Sequence, residues 1–433
     1  IRLRATQQNP SVLPAESLYA IEHDTMDTTF RSMYQGLYIY LSARKERRDL
    51  LLSQRPPRFD ESLDSMISRS EDDFTRIALK AKAAQDYFLL IGPPGTGKTS
   101  CALKKMVETF HADKDAQILL LSYTNRAVDE ICKSLASIAP AVDFIRVGSE
   151  LSCDEAYRGH LIENELSSCN RRSEVYERIR NCRIIVGTVA AISGKPELFR
   201  LKHFDVAIID EATQILEPQL LGILCARGED GKDAIDKFVL IGDHKQLPAV
   251  VQQNTEQSAI YDESLLSIGL TNLKDSLFER LYRNCTATVH RSYDMLCRQG
   301  RMHPEVALFA NRAFYGGRLI PVGLPHQIES SDTICRLAFY PSVPEKAGAS
   351  AKINYSEARI VADLAARIYE DHQTDFDESR TLGIITPYRS QIALIKKEIE
   401  SLGIPALNRI LVDTVERFQG SERDVIIYSF CVN

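Results

Sequence analysis

The sequence has no apolar run approaching the ~20 residues that a membrane-spanning helix requires, so no such span is expected. No signal peptide is expected from its opening residues, and it opens at Ile1 rather than Met, as a fragment of a longer chain would. Basic residues are not in excess: 53 Lys and Arg stand against 59 Asp and Glu, a formal net charge of -6. A surface coated in positive charge is thereby excluded, whereas a strand of nucleic acid held in a local groove is not. None of the ten cysteines is spaced as CxxC. Scattered through apolar runs, as Cys101, Cys132, Cys153, Cys169 and Cys182 are, they read as small buried hydrophobes rather than a metal site. Free thiols imply a reducing, intracellular compartment, cytoplasmic or nuclear. Repeats and low-complexity segments are also missing. The locally basic stretch Arg44, Lys45, Arg47, Arg48, Arg55 and Arg58 fits either a solvated helix face or a contact to a nucleic-acid backbone.

What is present is the texture of an α/β protein. A chain of 433 residues, 44% apolar, has length and core material for more than one domain. Residues 1 to about 75 carry no catalytic pattern; Arg31 to Leu52 reads as a helix ended by Pro56-Pro57. From Tyr87, short apolar runs alternate with amphipathic stretches. Tyr87–Ile91, Ile118–Ser122, Arg183–Gly187, Val206–Ile209 and Phe238–Ile241 read as buried parallel strands. The segments between them are long enough for crossover helices, the pattern of a doubly wound sheet. Residues 149–181 interrupt it with a polar, helix-like insertion. A second alternation follows residue 285, with strands at Met295–Cys297, Leu382–Thr386 and Val425–Phe430 and helices at Ser356–Tyr369 and Ser390–Ser401. The expected organisation is a helical accessory region (1–75), a first α/β domain (76–285) and a second (286–433).

Three loops carry chemistry. Gly92-Pro93-Pro94-Gly95-Thr96-Gly97-Lys98-Thr99 fits the P-loop pattern, follows a buried strand and opens a helix, which is the context the motif needs. Its glycines let backbone N–H groups turn inward around phosphates. Lys98 supplies a point charge to the β- and γ-phosphates, and Thr99 a hydroxyl for Mg²⁺. The helix from Ser100 sets its positive end behind the anion. Asp210 and Glu211 end a buried strand, where open parallel sheets bind ligands. Asp210 is the candidate metal carboxylate and Glu211 the candidate base for an attacking water; the alternative is an acidic surface turn. In Gly242-Asp243-His244-Lys245-Gln246-Leu247-Pro248, Gln246 can donate and accept, so it suits a γ-phosphate or a water. His244 reads as a satisfied loop histidine.

The order GPPGTGKT, DEATQ, GDHKQLP resembles superfamily 1 helicases, and within them the Upf1-like branch, over roughly residues 80 to 433. Ser122-Tyr123-Thr124-Asn125-Arg126-Ala127-Val128-Asp129, Gly187-Thr188-Val189 and Ser276–Leu281 are similar to further motifs of that branch. So are Arg301-Met302-His303-Pro304, Ile385-Thr386-Pro387-Tyr388-Arg389-Ser390-Gln391 and the run from Val412 to Asp424. The resemblance implies two RecA-like domains closing on ATP and Mg²⁺, with hydrolysis driving travel along single-stranded DNA or RNA, 5′ to 3′, by a monomer. It implies that Arg301 reaches the γ-phosphate from the second domain. Gln214, Gln419, Gly420 and Glu422 join the nucleotide set. Thr124, Asn125, Thr188, Thr386, Pro387 and Tyr388 are the strand-contacting set, each threonine fitting ordinary loop capping equally well.

Three departures stand out. The branch's Gln-containing motif upstream of the P-loop is not matched, since Gln85 lies too close to the strand. Where the branch carries an aromatic before RMHP that stacks on the base, this chain has Gly300, leaving Tyr282 or Tyr388 as substitutes. The branch's last motif, with a second arginine finger, lies beyond Asn433. Weak or no ATPase is therefore expected from residues 1–433, and appreciable turnover from a longer chain. The rival readings are a P-loop switch or scaffold that never translocates, and a binding module with a degenerate site.

Overall fold

A computed structural model describes residues 29–251, 253–288, 290–328, 336–342 and 352–431. Its centre is a seven-stranded sheet built from β1 (Tyr87–Ile91), β2 (Ile118–Ser122), β3 (Phe144–Val147), β4 (Ile184–Thr188), β5 (Phe204–Ile209), β6 (Ile235–Gly242) and β7 (Tyr293–Met295). The strands run in the order β3-β4-β2-β5-β6-β1-β7, and every pairing is parallel. Successive side chains point to opposite faces, and the core divides accordingly. Leu89, Leu119, Leu121, Ile185, Ile209 and Leu240 pack on one side; Phe88, Leu90, Leu120, Val186, Ile208 and Ile241 pack on the other. Covering both faces requires amphipathic helices. The helix Asn125–Ala136 is one, burying Val128, Ile131, Cys132 and Leu135 at helical spacing.

A smaller sheet follows. β8 (Arg298–Gln299) and β9 (Ile320–Pro321) form a short parallel pair; β10 (Leu382–Ile385) is central to a three-stranded sheet in the order β11-β10-β12, with β11 at Leu411–Asp413 and β12 at Val425–Tyr428. Helices Tyr355–Asp371 and Arg389–Ser401 pack on it around Leu382, Ile384, Val412, Ala362 and Ile395. The fold is α/β, two parallel sheets flanked by helices, as expected. No helix among the described residues is long and apolar enough to cross a membrane.

Several expectations need correction. The strand expected at Met295–Cys297, at the start of the second domain, is Tyr293–Met295, and it hydrogen-bonds to β1 in the first sheet. Its three residues are only half-buried, so no apolar run marks it. The short edge strand β3 was not expected. The single N-terminal helix is two, Thr29–Ser42 and Lys45–Leu51, and the first 28 residues lie outside the described residues. Residues 149–181 are helical, as expected: short segments at Glu150–Ser152, Glu155–His160 and Ile162–Glu165 precede a ten-residue helix at Arg172–Asn181.

The basic stretch resolves toward structure. Arg47 is buried and donates to the Ile235 and Asp236 carbonyls at 2.5 and 3.0 Å. Arg55 and Arg58 both grip Asp86, one residue before β1, each with an N–O distance of 2.9 Å. These cations fasten the N-terminal segment to the amino edge of the sheet. Of the cysteines read as buried, Cys132, Cys153 and Cys182 are so, whereas Cys101 is exposed and Cys169 half-buried; burial pushes the Cys132 and Cys225 thiols up to about 12. The group of metal-capable side chains found among the described residues, His203, Asp205 and Asp236, contains no cysteine.

Candidate functional site

The strand order decides what meets at the carboxyl edge. β5, β6 and β1 are consecutive neighbours, so the loops that leave them stand side by side. Gly92 continues from β1, and its N–H donates to Gly242 O at the end of β6 at 3.0 Å. Gly95 and Gly97 sit at φ +73° and +75°, backbone that L side chains rarely adopt. Pro93 is buried and Pro94 half-buried, and the Thr96 hydroxyl closes the loop by donating to Pro93 O at 2.7 Å. The following helix opens as a wide π turn over Lys98–Leu103, a distortion frequent at functional sites; Ser100 lies exposed in its first turn. The Lys98 stem folds back over Gly92 so closely that a Cβ there would lie 2.0 Å from Lys98 Cγ.

Lys98 then reaches past the end of β6. Its Nζ donates to Glu211 Oε1 at 2.8 Å, with both side chains largely buried. The neighbouring Thr99 hydroxyl donates to Asp210 Oδ2 at 2.5 Å. Glu211 itself is held in left-handed backbone, φ +52°, a conformation costing a non-glycine residue about 1 kcal/mol that persists where the surroundings impose it. Gln214 steadies the other Glu211 oxygen, donating from Nε2 at 3.0 Å. Burial, reinforced by the Glu211 carboxylate, pushes the Asp210 carboxyl well above the usual carboxylate range. Burial alone would lower Lys98, but Glu211 and Asp210 hold its ammonium above its ordinary value. Five predicted residues, Lys98, Thr99, Asp210, Glu211 and Gln214, thus form one cluster.

Gln246 stands beside it. Its Nε2 donates to Asp243 Oδ2 at 2.8 Å. Sequence reasoning assigned no role to the buried Asp243 and missed the second donor to that oxygen, the Tyr315 hydroxyl at 2.7 Å. The only signal for Tyr315 was its place as the last residue before the Gly316-Gly317 helix stop. His244 is half-buried, its Nδ1 has no partner, and its ring lies 4.8 Å from that of Tyr282. Tyr282 also meets Tyr293 edge-on at 5.6 Å.

Arg301 lies just after β8. A Cβ on Gly95 would lie 2.4 Å from Arg301 Cβ, and Gly300 N–H donates to Gly95 O at 2.8 Å. The segment therefore rests on the P-loop, and only glycine permits that approach. The guanidinium is engaged elsewhere, with Nε 2.7 Å from Glu422 Oε2. Near Glu422, Gln419 Nε2 and Ser421 Oγ are buried without a partner, and Gly420 sits at φ +76°.

The strand-contacting candidates divide. Thr124 and Thr188 hydroxyls cap helices, accepting from Ala127 and Ala191 N–H at 3.2 and 3.1 Å; Asn125 begins the first of those helices. Thr386, Pro387 and Tyr388 follow β10. The Thr386 hydroxyl is buried and unpartnered, Pro387 is exposed and Tyr388 half-buried at the start of the helix Arg389–Ser401.

With that geometry in hand, the chain can be set beside known proteins. Two families described as AAA domain match it, one over residues 69–175 and 162–254, the other over 273–433. The human DNA replication ATP-dependent helicase/nuclease DNA2 is 28% identical over 98% of this chain and 41% of its own length. The Arabidopsis thaliana helicase/nuclease JHS1 is 29% identical over 99% of this chain and 32% of its own length. The DNA polymerase alpha-associated DNA helicase A of Saccharomyces cerevisiae is 23% identical, covering 94% of this chain and 67% of itself. The chain thus spans about a third to two fifths of the length of these helicase/nuclease relatives. Its P-loop and acid pair and the colinear loops that follow them agree with these matches: the chain is similar to ATP-dependent DNA helicases over nearly its whole length, through two regions that match AAA-domain families.

Proposed function

We propose that this chain is the motor core of an ATP-dependent helicase or translocase acting on single-stranded nucleic acid. The observation that carries the reading is the convergence of Lys98, Thr99, Asp210 and Glu211, at 2.8 and 2.5 Å, with the Arg301 segment resting on the same P-loop. That donor set fits a magnesium-bound triphosphate. The glycines leave the loop backbone open to phosphates, and the buried Asp210 and largely buried Glu211 stand beside a single lysine, a site that gains from a divalent cation. Thr99 and Asp210 would hold Mg²⁺, which when bound neutralises charge on the phosphates and aids their departure. Glu211 orients the attacking water and takes its proton, once Lys98 exchanges the Glu211 carboxylate for phosphate oxygens. Gln246 faces the γ-phosphate, and Arg301 swings from Glu422 to meet it.

DNA is favoured over RNA, because the relatives are named for DNA replication and DNA helicase work, and such a motor acts inside the cell. Thr124, Asn125, Thr188, Thr386, Pro387 and Tyr388 are proposed to line its path. The unpartnered Thr386 hydroxyl supports a phosphate contact there, and the capped threonines 124 and 188 are better suited to offering backbone N–H groups. Travel 5′ to 3′ is carried over from the family resemblance. We place the domain boundary after β7, near residue 296, because Leu296 N–H still bonds to Ile91 O in the first sheet.

The test is ATP turnover by the full-length protein with and without single-stranded DNA and RNA oligonucleotides, and displacement from 5′ and 3′ overhangs. Stimulation of severalfold by DNA, abolished by Lys98→Ala, is the expected result. Turnover indifferent to either strand assigns the chain to the switch or scaffold class instead.

A further inference from the structure

The helix Pro304–Tyr315 begins beside Arg301 and touches the first domain at both ends. At about 1.5 Å per residue its 12 residues span about 18 Å. At its start, the preceding Gly300–Arg301 segment sits on Gly95. At its last residue, the buried Tyr315 hydroxyl donates to Asp243 Oδ2 at 2.7 Å. The P-loop and the loop after β6 are thus bridged by one rigid element.

Asp243 is nearly inaccessible, at 1% exposure. Its carboxylate is satisfied by neutral donors: Tyr315 Oη and Gln246 Nε2 share Oδ2, and Lys245 N–H reaches Oδ1 at 3.0 Å. Its own N–H leans on Thr213 Oγ1, in the loop after the acid pair, at 3.4 Å. An amide with one N–H bound has its plane set, and its carbonyl oxygen and second N–H are then aimed in a defined direction. Removing the Tyr315 hydroxyl would leave Gln246 as the sole side-chain donor to Oδ2, and the carboxylate held less firmly, by Gln246 and the Lys245 N–H alone. The tyrosine is itself well anchored. Asn311 clasps Leu319 through two 2.9 Å bonds, pinning the turn that follows the helix.

We propose that Tyr315 is a positioning residue for the hydrolytic step: its hydroxyl fixes Asp243, Asp243 fixes Gln246, and the helix Pro304–Tyr315 thereby transmits the seat of the Arg301 segment to the γ-phosphate. The proposal rests on the helicase reading, in which Gln246 faces that phosphate.

The experiment is steady-state ATPase kinetics of the full-length protein with saturating single-stranded DNA, comparing Tyr315→Phe, Gln246→Ala, the double variant and Lys98→Ala. Loss of one buried donor that orients a reacting group is expected to lower kcat about tenfold, with KM for ATP within about threefold. Because the hydroxyl acts through Gln246, the double variant should fall less than about twofold below Gln246→Ala alone. Asp243→Asn, which keeps the shape, should reproduce the Tyr315→Phe defect and stands in for it if that variant folds poorly. Full multiplication of the two defects, a KM-only effect, or a Gln246→Ala enzyme with normal kcat each overturns the relay. Turnover that survives Lys98→Ala overturns the helicase reading and the relay with it; turnover that needs Lys98 but ignores Tyr315→Phe and Asp243→Asn overturns the relay alone.

Discussion

At the residue scale, the charges that matter are the ones removed from water. Asp86 is 4% exposed at its side chain and carries two arginines, Arg55 at 28% and Arg58 at 67% exposure. Burial alone would raise its carboxyl, but bonds from Arg55 and Arg58 hold it far below the usual carboxylate range. Because the folded value lies below the unfolded one, the group adds stability that is complete above about pH 4, its unfolded range. That stability drains away as pH falls toward the folded value. Asp86→Asn leaves two guanidinium groups facing a neutral amide. It is expected to cost about 3 kcal/mol near neutrality, the scale for breaking a buried pair. It should also flatten the acid limb of stability, read as urea midpoints measured between pH 7 and 3. A variant with the parent's pH slope would mean that Asp86 is not the linked group. Glu211 and Lys98 were legible as residues because their chemistry is written in a local pattern. The left-handed backbone of Glu211 and its bond to Lys98 were not, since both depend on what lies across β6.

At the scale of elements, the helix Thr29–Ser42 meets the helix Glu217–Leu224 at a glycine pair. A Cβ on Gly36 would lie 2.3 Å from Pro218 O, and one on Gly222 would lie 3.1 Å from Gly36 Cα. Two effects compete in Gly36→Ala. Helix propensity favours alanine by up to about 1 kcal/mol. Pressing a methyl group into a backbone oxygen forces the helices apart, at a cost of about 1–3 kcal/mol for an overpacked contact. The contact wins at 2.3 Å, so Gly36→Ala is expected to lower the urea midpoint and expose the N-terminal segment to limited proteolysis. A stabilised variant would show that this helix pair is loosely docked. Strands with unbroken apolar runs, such as β1 and β2, were readable because parallel strands buried on both faces have little alternative composition. β7, expected at Met295–Cys297 in the second alternation, joins the first sheet for the converse reason: Tyr293-Asp294-Met295 has no apolar run, and its place follows only from its bonds to Leu89–Ile91.

At the scale of the molecule, the Gly300–Arg301 backbone rests on the P-loop at Gly95, while the Arg301 side chain is held back by Glu422 from its own half of the chain. The pair is 2.7 Å long and 37% and 68% exposed, and such surface pairs contribute only about 0–1 kcal/mol. A bond that weak is readily exchanged for one to a triphosphate, which is what a cleft that opens and closes needs. Arg301→Ala is therefore expected to lower turnover by about a thousandfold, the scale of a lost arginine finger. Glu422→Ala removes the competitor and should tighten ATP binding by up to about fivefold, since the released pair is worth at most about 1 kcal/mol. Fluorescent-nucleotide titration separates the outcomes: weaker binding in Glu422→Ala would instead make Glu422 a direct nucleotide contact, as the motif resemblance implies.

From the amino-acid order alone came the α/β class, the P-loop, the acid pair and the Upf1-like resemblance. Each is set by short runs whose spacing has a local physical cause: glycine where backbone must turn, acids where a buried strand ends, apolar residues where both faces are covered. The tertiary structure decided the partnerships. It put Lys98 on Glu211, directed the basic N-terminal stretch to the sheet edge and joined Tyr315 to Asp243. Those depend on strand order and on which loops become neighbours, and residues 31 to 188 positions apart leave no mark on each other's local sequence.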